Sequence, residues 1–242
     1  MNDRKETKID NKNYDEQDIL QLLNIGYTAP QISKELKVTN AVVYRIRRKY
    51  HLTTPNKQIF IFNSLQEQIL LSGILGDGNY KQNGCQGYYY RESHAEDEYD
   101  YISWKANMLN QFVTKSGVHE ITGQGFNKQR LFGFSTKTST SFRQFVFLTK
   151  KQIIEKLDSR GLILFLLDDG WLSHKNFHIS KGTLTSDEKQ LIIQKFKQYG
   201  CNSIHLDKIG DFIFLKEDYI HIKNLALSFL PQSLDIIQKK FK

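Results

Sequence analysis

Two stretches decide the reading of this chain: residues 69–78, ILLSGILGDG, and residues 162–170, LILFLLDDG. Each is an apolar run of helical length that stops at an Asp-Gly step, Asp77-Gly78 in one and Asp169-Gly170 in the other. Glycine is a common residue just past a helix end. A carboxylate there is electrostatically wrong, because it faces the negative end of the helix dipole. One such case is an ordinary surface accident, but two matched cases ask for a positive charge nearby. A divalent cation is the simplest candidate, since hard ions take carboxylate and backbone carbonyl oxygens. Ser72, Gly73 and Gly76 cluster on the first run, where each glycine costs up to about 1 kcal/mol of helix stability. They are expected to let a partner helix approach closely. The natural partner is the second run, which would bring Asp77 and Asp169 side by side at one end of a helix pair.

Both runs are followed by strand-forming residues, Asn79-Tyr80 and Trp171-Leu172. Further strands are expected at 88–91, 118–122, 131–136, 177–180, 203–206 and 212–215. In Tyr88-Tyr89-Tyr90 the three rings cannot share one face of a strand, so at least one belongs in the core. His174 and His178 stand four apart, but on a strand-turn that spacing does not converge them on a metal.

The two runs resemble the paired motifs of LAGLIDADG homing endonucleases, in the single-chain form with two pseudo-symmetric halves. The likeness spans about residues 64–241. It extends to 94–105, to Phe134-Ser135-Thr136-Lys137-Thr138 and to the closing Leu230-Pro231-Gln232-Ser233-Leu234. Leu75 stands where the motif usually has its first aspartate. The resemblance implies an α+β fold, a duplicated αββαββα core whose sheets form a saddle over the DNA major groove, with halves at about 64–150 and 151–242. It implies that Asp77 and Asp169 are the metal-binding acids, helped by the backbone carbonyls of Gly76 and Asp168. The implied cofactor is Mg²⁺, with Mn²⁺ able to substitute. The implied reaction is a double-strand break by phosphodiester hydrolysis, one aspartate per strand, leaving short 3′ overhangs. Basic residues near the sheet ends organise the attacking water in that family, and by position Lys137 and Lys216 are the candidates here.

Ahead of this region the chain reads as a separate unit. Residues 1–13 are polar and aperiodic, 14–52 are helical, and 53–63 form a linker in which Pro55 bars helix continuation. Ile19, Leu22 and Leu23 recur at helical spacing up to Gly26. Thr28, Pro30 and Gln31 then mark a capped helix start. Thr39 opens a third helix that buries Val43 and Ile46 and exposes Asn40, Ala41, Tyr44, Arg45 and Arg48. A tight turn before a basic third helix makes a helix-turn-helix. The segment from Ile19 to Leu52 resembles the DNA-binding domains of resolvases and invertases, with Lys37 in place of that family's turn glycine. A small structural three-helix bundle is the alternative.

Composition agrees with a polyanionic partner. Lys and Arg number 34 against 26 Asp and Glu, a formal charge of +8, which favours nucleic acid. With 39% hydrophobic and 12% aromatic residues, a packed core is expected rather than disorder. Residues 121–154 hold Lys128, Arg130, Lys137, Arg143, Lys150 and Lys151 but no Asp or Glu, a one-signed stretch suited to tracking phosphates. Of these, Lys128, Arg130 and Arg143 are the DNA-contact candidates. Cys85 and Cys201 match no zinc or disulfide pattern and fit a reducing compartment. No signal peptide or membrane-spanning run is expected, so a monomeric, cytoplasmic protein of a bacterium or phage-infected cell, acting on double-stranded DNA, is the reading. Two alternatives use the same fold: a catalytically silent transcription regulator and an intron maturase.

Overall fold

The structure is a computed structural model, and it describes residues 14–24, 27–50, 52, 59–83, 87–121, 130–173, 176–180 and 182–241. The first three helices are α1 (Glu16–Asn24), α2 (Ala29–Leu36) and α3 (Asn40–Lys49). They enclose a small core of Ile19, Leu23, Ala29, Ile32, Val42, Val43 and Ile46. The start of α2 lies where expected: Gln31 Oε1 accepts from both the Thr28 amide and the Thr28 hydroxyl at 2.8 Å, and Pro30 sits in the first turn. Lys37 ends α2 in the left-handed region at φ 52°, a conformation that costs an L-residue with a β-carbon roughly 1–2 kcal/mol. The Gly26 helix stop lies outside the described residues.

The second region contains the αββαββα order twice. Its first half runs α4 (Ser64–Leu75), β1 (Gly78–Gln82), β2 (Tyr88–Ala95), α5 (Tyr99–Met108), β3 (His119–Ile121), β4 (Leu131–Ser135), α6 (Arg143–Val146) and α7 (Lys150–Lys156). The second half runs α8 (Ser159–Asp169), β5 (Gly170–Ser173), β6 (Asn176–Ile179), α9 (Ser186–Gln198), β7 (His205–Leu206), β8 (Phe212–Phe214), α10 (Lys216–Leu227) and α11 (Asp235–Lys240). The two antiparallel sheets have matching orders, β1-β2-β4-β3 and β5-β6-β8-β7. Their registers match as well, since Gly78 pairs with Glu92 and Gly170 with Ile179. Asp77 and Asp169 therefore occupy equivalent positions, each one residue before a strand.

The halves are joined by a pair of buried apolar helices, α4 against α8, and by exchanged ends. Helix α7 of the first half packs on α9 of the second, and α11 of the second packs on α5 of the first. The common core is continuous across both halves. It also takes in part of the expected linker: Phe60 is buried, its ring tilted against Phe112 and edge-on to Phe142. Among the described residues, no helix is long and apolar enough to cross a membrane.

The small residues of α4 divide their work differently from the expectation. Gly76 does face the partner helix: a β-carbon there would lie 2.8 Å from Cβ of Asp168. Gly73 instead admits Tyr90 from the sheet, whose hydroxyl oxygen would lie 1.8 Å from an added β-carbon. Ser72 turns its hydroxyl back to the Ile69 carbonyl at 3.2 Å. The close approach on the α8 side comes from Gly161, where a β-carbon would meet Gln68 of α4 at 2.2 Å.

Candidate active site

Each acid owes its place to a forced backbone transition. Helix α4 ends at Leu75, the Gly76 amide caps it on the Ser72 carbonyl at 3.0 Å, and Asp77 precedes the strand. A β-carbon on Gly78 would lie 2.2 Å from the Tyr90 hydroxyl oxygen, and one on Gly170 would lie 2.2 Å from the Leu166 carbonyl oxygen. Both positions accept only glycine, which explains why each motif ends in Asp-Gly. With Gly76 seated on Asp168, the two helix ends bring Asp77 and Asp169 within electrostatic reach. Burial pushes Asp169 up to about 7, reinforced by the charges of Asp77 and Asp168. Burial likewise pushes Asp77 up to about 6, with His94 opposing and Asp168 reinforcing. Its side chain nevertheless keeps 40% of its exposure, so it is reachable from solvent.

Beneath the acids lies a buried ionic network that the sequence reading missed. The Lys105 ammonium of α5 is fully enclosed between Glu92 of β2 and Asp168 of α8, 2.7 Å from Asp168 Oδ1. Tyr101, one turn earlier, donates its hydroxyl to the same Asp168 oxygen at 2.8 Å, and Tyr90 donates to Glu92. His94 places Nε2 2.8 Å from Glu92 and Nδ1 2.9 Å from Glu98, with Asp77 Oδ2 at 3.5 Å. Burial opposes the His94 charge, yet the Glu92 and Glu98 carboxylates outweigh it and hold its pKa up to about 10. Burial opposes the Glu92 charge too, and Lys105 and His94 override it, bringing its pKa down to about 2. From the C-terminal helix, Lys240 donates to the Leu167 carbonyl and sits 3.9 Å from Glu98. Burial lowers its pKa against the pull of Glu98, Asp168 and Asp77.

Two places suit a cation on composition, and they differ. Glu92, His94 and Asp168 bring ligand atoms within 4.8 Å of one another, but the Lys105 ammonium already serves those carboxylates. The upper place, at Asp77 and Asp169, is short of positive charge. When all are ionised, the carboxylates Asp77, Glu92, Glu98, Asp168 and Asp169 outnumber the cations His94, Lys105 and Lys240 by two, the charge of one divalent ion. Asp168 Oδ2 is also buried without a hydrogen-bond partner. Hard oxygen donors with raised pKa values and a deficit of two charges fit Mg²⁺ or Mn²⁺.

The other sequence candidates lie as follows. Lys137 donates to the Gln111 carbonyl at 2.9 Å, and Lys216 is exposed as the first residue of α10. The basic charges that act most on Asp77 and Asp169 are those of His94, Lys105 and Lys240. Asn40, Ala41, Tyr44, Arg45 and Arg48 all lie exposed on α3. Arg47 of the same basic run is buried, with Nε and Nη2 unpartnered. Arg130 pairs with Glu96 at 2.7 Å and Glu120 at 2.9 Å, Arg143 begins α6 half-buried, and Lys128 and His174 lie outside the described residues. His178 stacks on Trp171 at 5.4 Å between ring centroids. A signal for the missed lysines did exist. Lys105 stands four residues after Tyr101, and Lys240 four after Ile236, each on the apolar face of its helix.

Comparison with known proteins agrees with this fold. The family profile described as LAGLIDADG DNA endonuclease matches residues 67–213. Among solved structures, the chain is similar to the homing endonuclease I-WcaI bound to its DNA recognition sequence, at 17% identity and a TM-score of 0.61, covering 82% of this chain and 92% of that one. It is similar at 17% identity to I-DmoI in complex with DNA and Mn, with a TM-score of 0.45, covering 69% of this chain and 99% of that one. At 17% identity the likeness to I-WcaI is one of fold. No curated protein matches the chain. The duplicated αββαββα architecture, the paired Asp-Gly helix ends and the profile match agree: this chain belongs to the LAGLIDADG DNA endonuclease family.

Proposed function

We propose that the protein is a site-specific homing endonuclease that makes a metal-dependent double-strand break in DNA. The observation that carries this reading is the meeting of Asp77 and Asp169 at the shared end of α4 and α8, over a site short of two positive charges. A bound Mg²⁺ or Mn²⁺ would supply a nucleophilic hydroxide at neutral pH and offset charge on the phosphate. Asp77 and Asp169, with the Gly76 and Asp168 carbonyls, are the residues to hold it. Lys137 and Lys216 stay the proposed water-organising residues, while Lys240, buried and bonded to the Leu167 carbonyl, acts on the site through its charge beside Asp169. The solvent faces of the two sheets, carrying Arg91 and Asn79 on one and Trp171 and His178 on the other, form the surface for duplex DNA.

The N-terminal helices would extend the target. Helix α3 presents Asn40, Ala41, Tyr44, Arg45 and Arg48 along one exposed face, the arrangement a recognition helix needs in a major groove. Arg143 and Lys128 are proposed phosphate contacts. Arg130 must first leave Glu96 and Glu120 to become one.

The test is cleavage by the purified full chain, as a monomer, of the DNA flanking its own gene joined without the insert, in Mg²⁺. Linearisation that disappears in Asp77→Asn and in Asp169→Asn supports the endonuclease. Tight binding with no cutting in either Mg²⁺ or Mn²⁺ identifies a DNA-binding regulator instead.

A further inference from the structure

The two halves share a fold but not an interior. Equivalent positions in β2 and β6 carry Glu92 against Ile179, and Tyr90 against Phe177, all buried. At the two helix ends, Gly76 stands where the second half has Asp168. Asp168 is a second-half residue whose carboxylate is gripped entirely by the first half, through Lys105 and Tyr101 of α5. It is the residue immediately before Asp169. The end of α8 is thus tethered by an ion pair and a hydrogen bond that the end of α4, closing on a glycine, has no side chain to make.

We propose that Lys105 is a positioning residue for one of the two strand cleavages: by holding Asp168 across the half-domain boundary, it fixes the end of α8 and so the place of Asp169. Asp77 lies in the first half, with His94 Nδ1 3.5 Å from its carboxylate, and the Gly76 before it packs on the Asp168 β-carbon rather than on the tethered carboxylate oxygen. The two cleavages therefore rest on unlike supports, and loss of Lys105 falls on the Asp169 strand. This rests on the endonuclease reading above. Lys105 itself touches neither the DNA nor Asp169.

The test is strand-resolved cleavage of a duplex carrying a different dye on each 5′ end, with full-length protein and Mg²⁺. Lys105→Met leaves Glu92 and Asp168 buried with less countercharge, so its fold is at risk. Lys105→Met with Asp168→Ala removes one charge of each sign and keeps the β-carbon that packs on Gly76. In this double variant, one strand should be cut roughly tenfold or more slowly than in the wild type and the other within about twofold, so that nicked duplex accumulates. Equal slowing of both strands, or wild-type rates on both, overturns the proposal, because a merely structural role does not distinguish strands. If the wild type cuts no duplex, the endonuclease reading fails. Mn²⁺ binding to the protein alone, followed by electron paramagnetic resonance, then decides the positioning role. The double variant should lose the portion of Mn²⁺ binding that Asp169→Asn loses and keep the portion that Asp77→Asn loses. Unchanged Mn²⁺ binding overturns it.

Discussion

Replacing Asp169 by asparagine should make the protein more stable at neutral pH while ending its cleavage. Burial, reinforced by the Asp77 and Asp168 charges, raises Asp169 from an ordinary 3.8 to about 7. The folded state therefore binds this proton more tightly than the unfolded chain, and ionising the group works against folding. The stability lent by protonated Asp169 is complete below 3.8 and is lost as pH rises through about 7. At about 1.4 kcal/mol per pH unit, the loss is bounded at roughly 4 kcal/mol. Asp77, shifted from 3.8 to about 6, adds less, because its side chain is 40% exposed and solvent screens it. Its repulsion is also already contained in the Asp169 shift. The assay is the unfolding free energy of Asp169→Asn minus that of the wild type, in EDTA, across pH. The difference should grow from near zero at about pH 4 to about 3 kcal/mol at about pH 8, or roughly 6–12 °C in Tm for a chain of this size. Added Mg²⁺ should close the gap by stabilising the wild type through binding. A difference flat with pH, or a variant less stable than the wild type at about pH 8, would refute the electrostatic account of the site.

Lys37→Gly should stabilise the N-terminal helical unit by about 1 kcal/mol, read from its denaturant midpoint, because the left-handed backbone at φ 52° suits glycine. Gly73→Ala should cost about 1–3 kcal/mol by overpacking against the Tyr90 hydroxyl; adding Tyr90→Phe, which removes the clashing oxygen, should recover part of the loss in thermal melts. Lys137→Met and Lys216→Met should each lower the cleavage rate by about two orders of magnitude, whereas Lys240→Met should lower it less in the same assay, because Lys240 is buried and bonded to the Leu167 carbonyl.

The helix pair and the order of strands were legible because they obey simple periodicities. Uninterrupted apolar runs ending in glycine became α4 and α8, and the region 212–215 shortened only to Phe212–Phe214. Strand β2 shows where that logic stops. The sequence pattern predicts it only to Arg91, but the strand continues to Ala95, burying Tyr90, Glu92 and His94 at alternate positions. The period of two is intact. Two of these three inward residues, Glu92 and His94, are charged, so a hydrophobic alternation cannot reveal them. The partners that make this burial tolerable lie far away in the chain: Lys105 for Glu92, and Lys105 again for Asp168. No local pattern encodes such a meeting. The aspartates were readable because a glycine punctuates each; the lysines were hidden because an isolated lysine in a helix reads as solvated.

Divergence between the halves has a historical consequence. A two-fold duplicated chain can in principle return to a symmetric dimer of one half. Here that route is unfavourable in both directions. Two copies of the first half would enclose two lysines at position 105, each keeping Glu92 but losing Asp168. Two copies of the second would enclose two Asp168 carboxylates with no lysine. Stranding one partner of a buried ion pair costs about 3–5 kcal/mol, and a symmetric dimer of the second half would incur it twice, comparable to the whole stability of a typical domain. With glycine at 76 and aspartate at 168, each half needs the other.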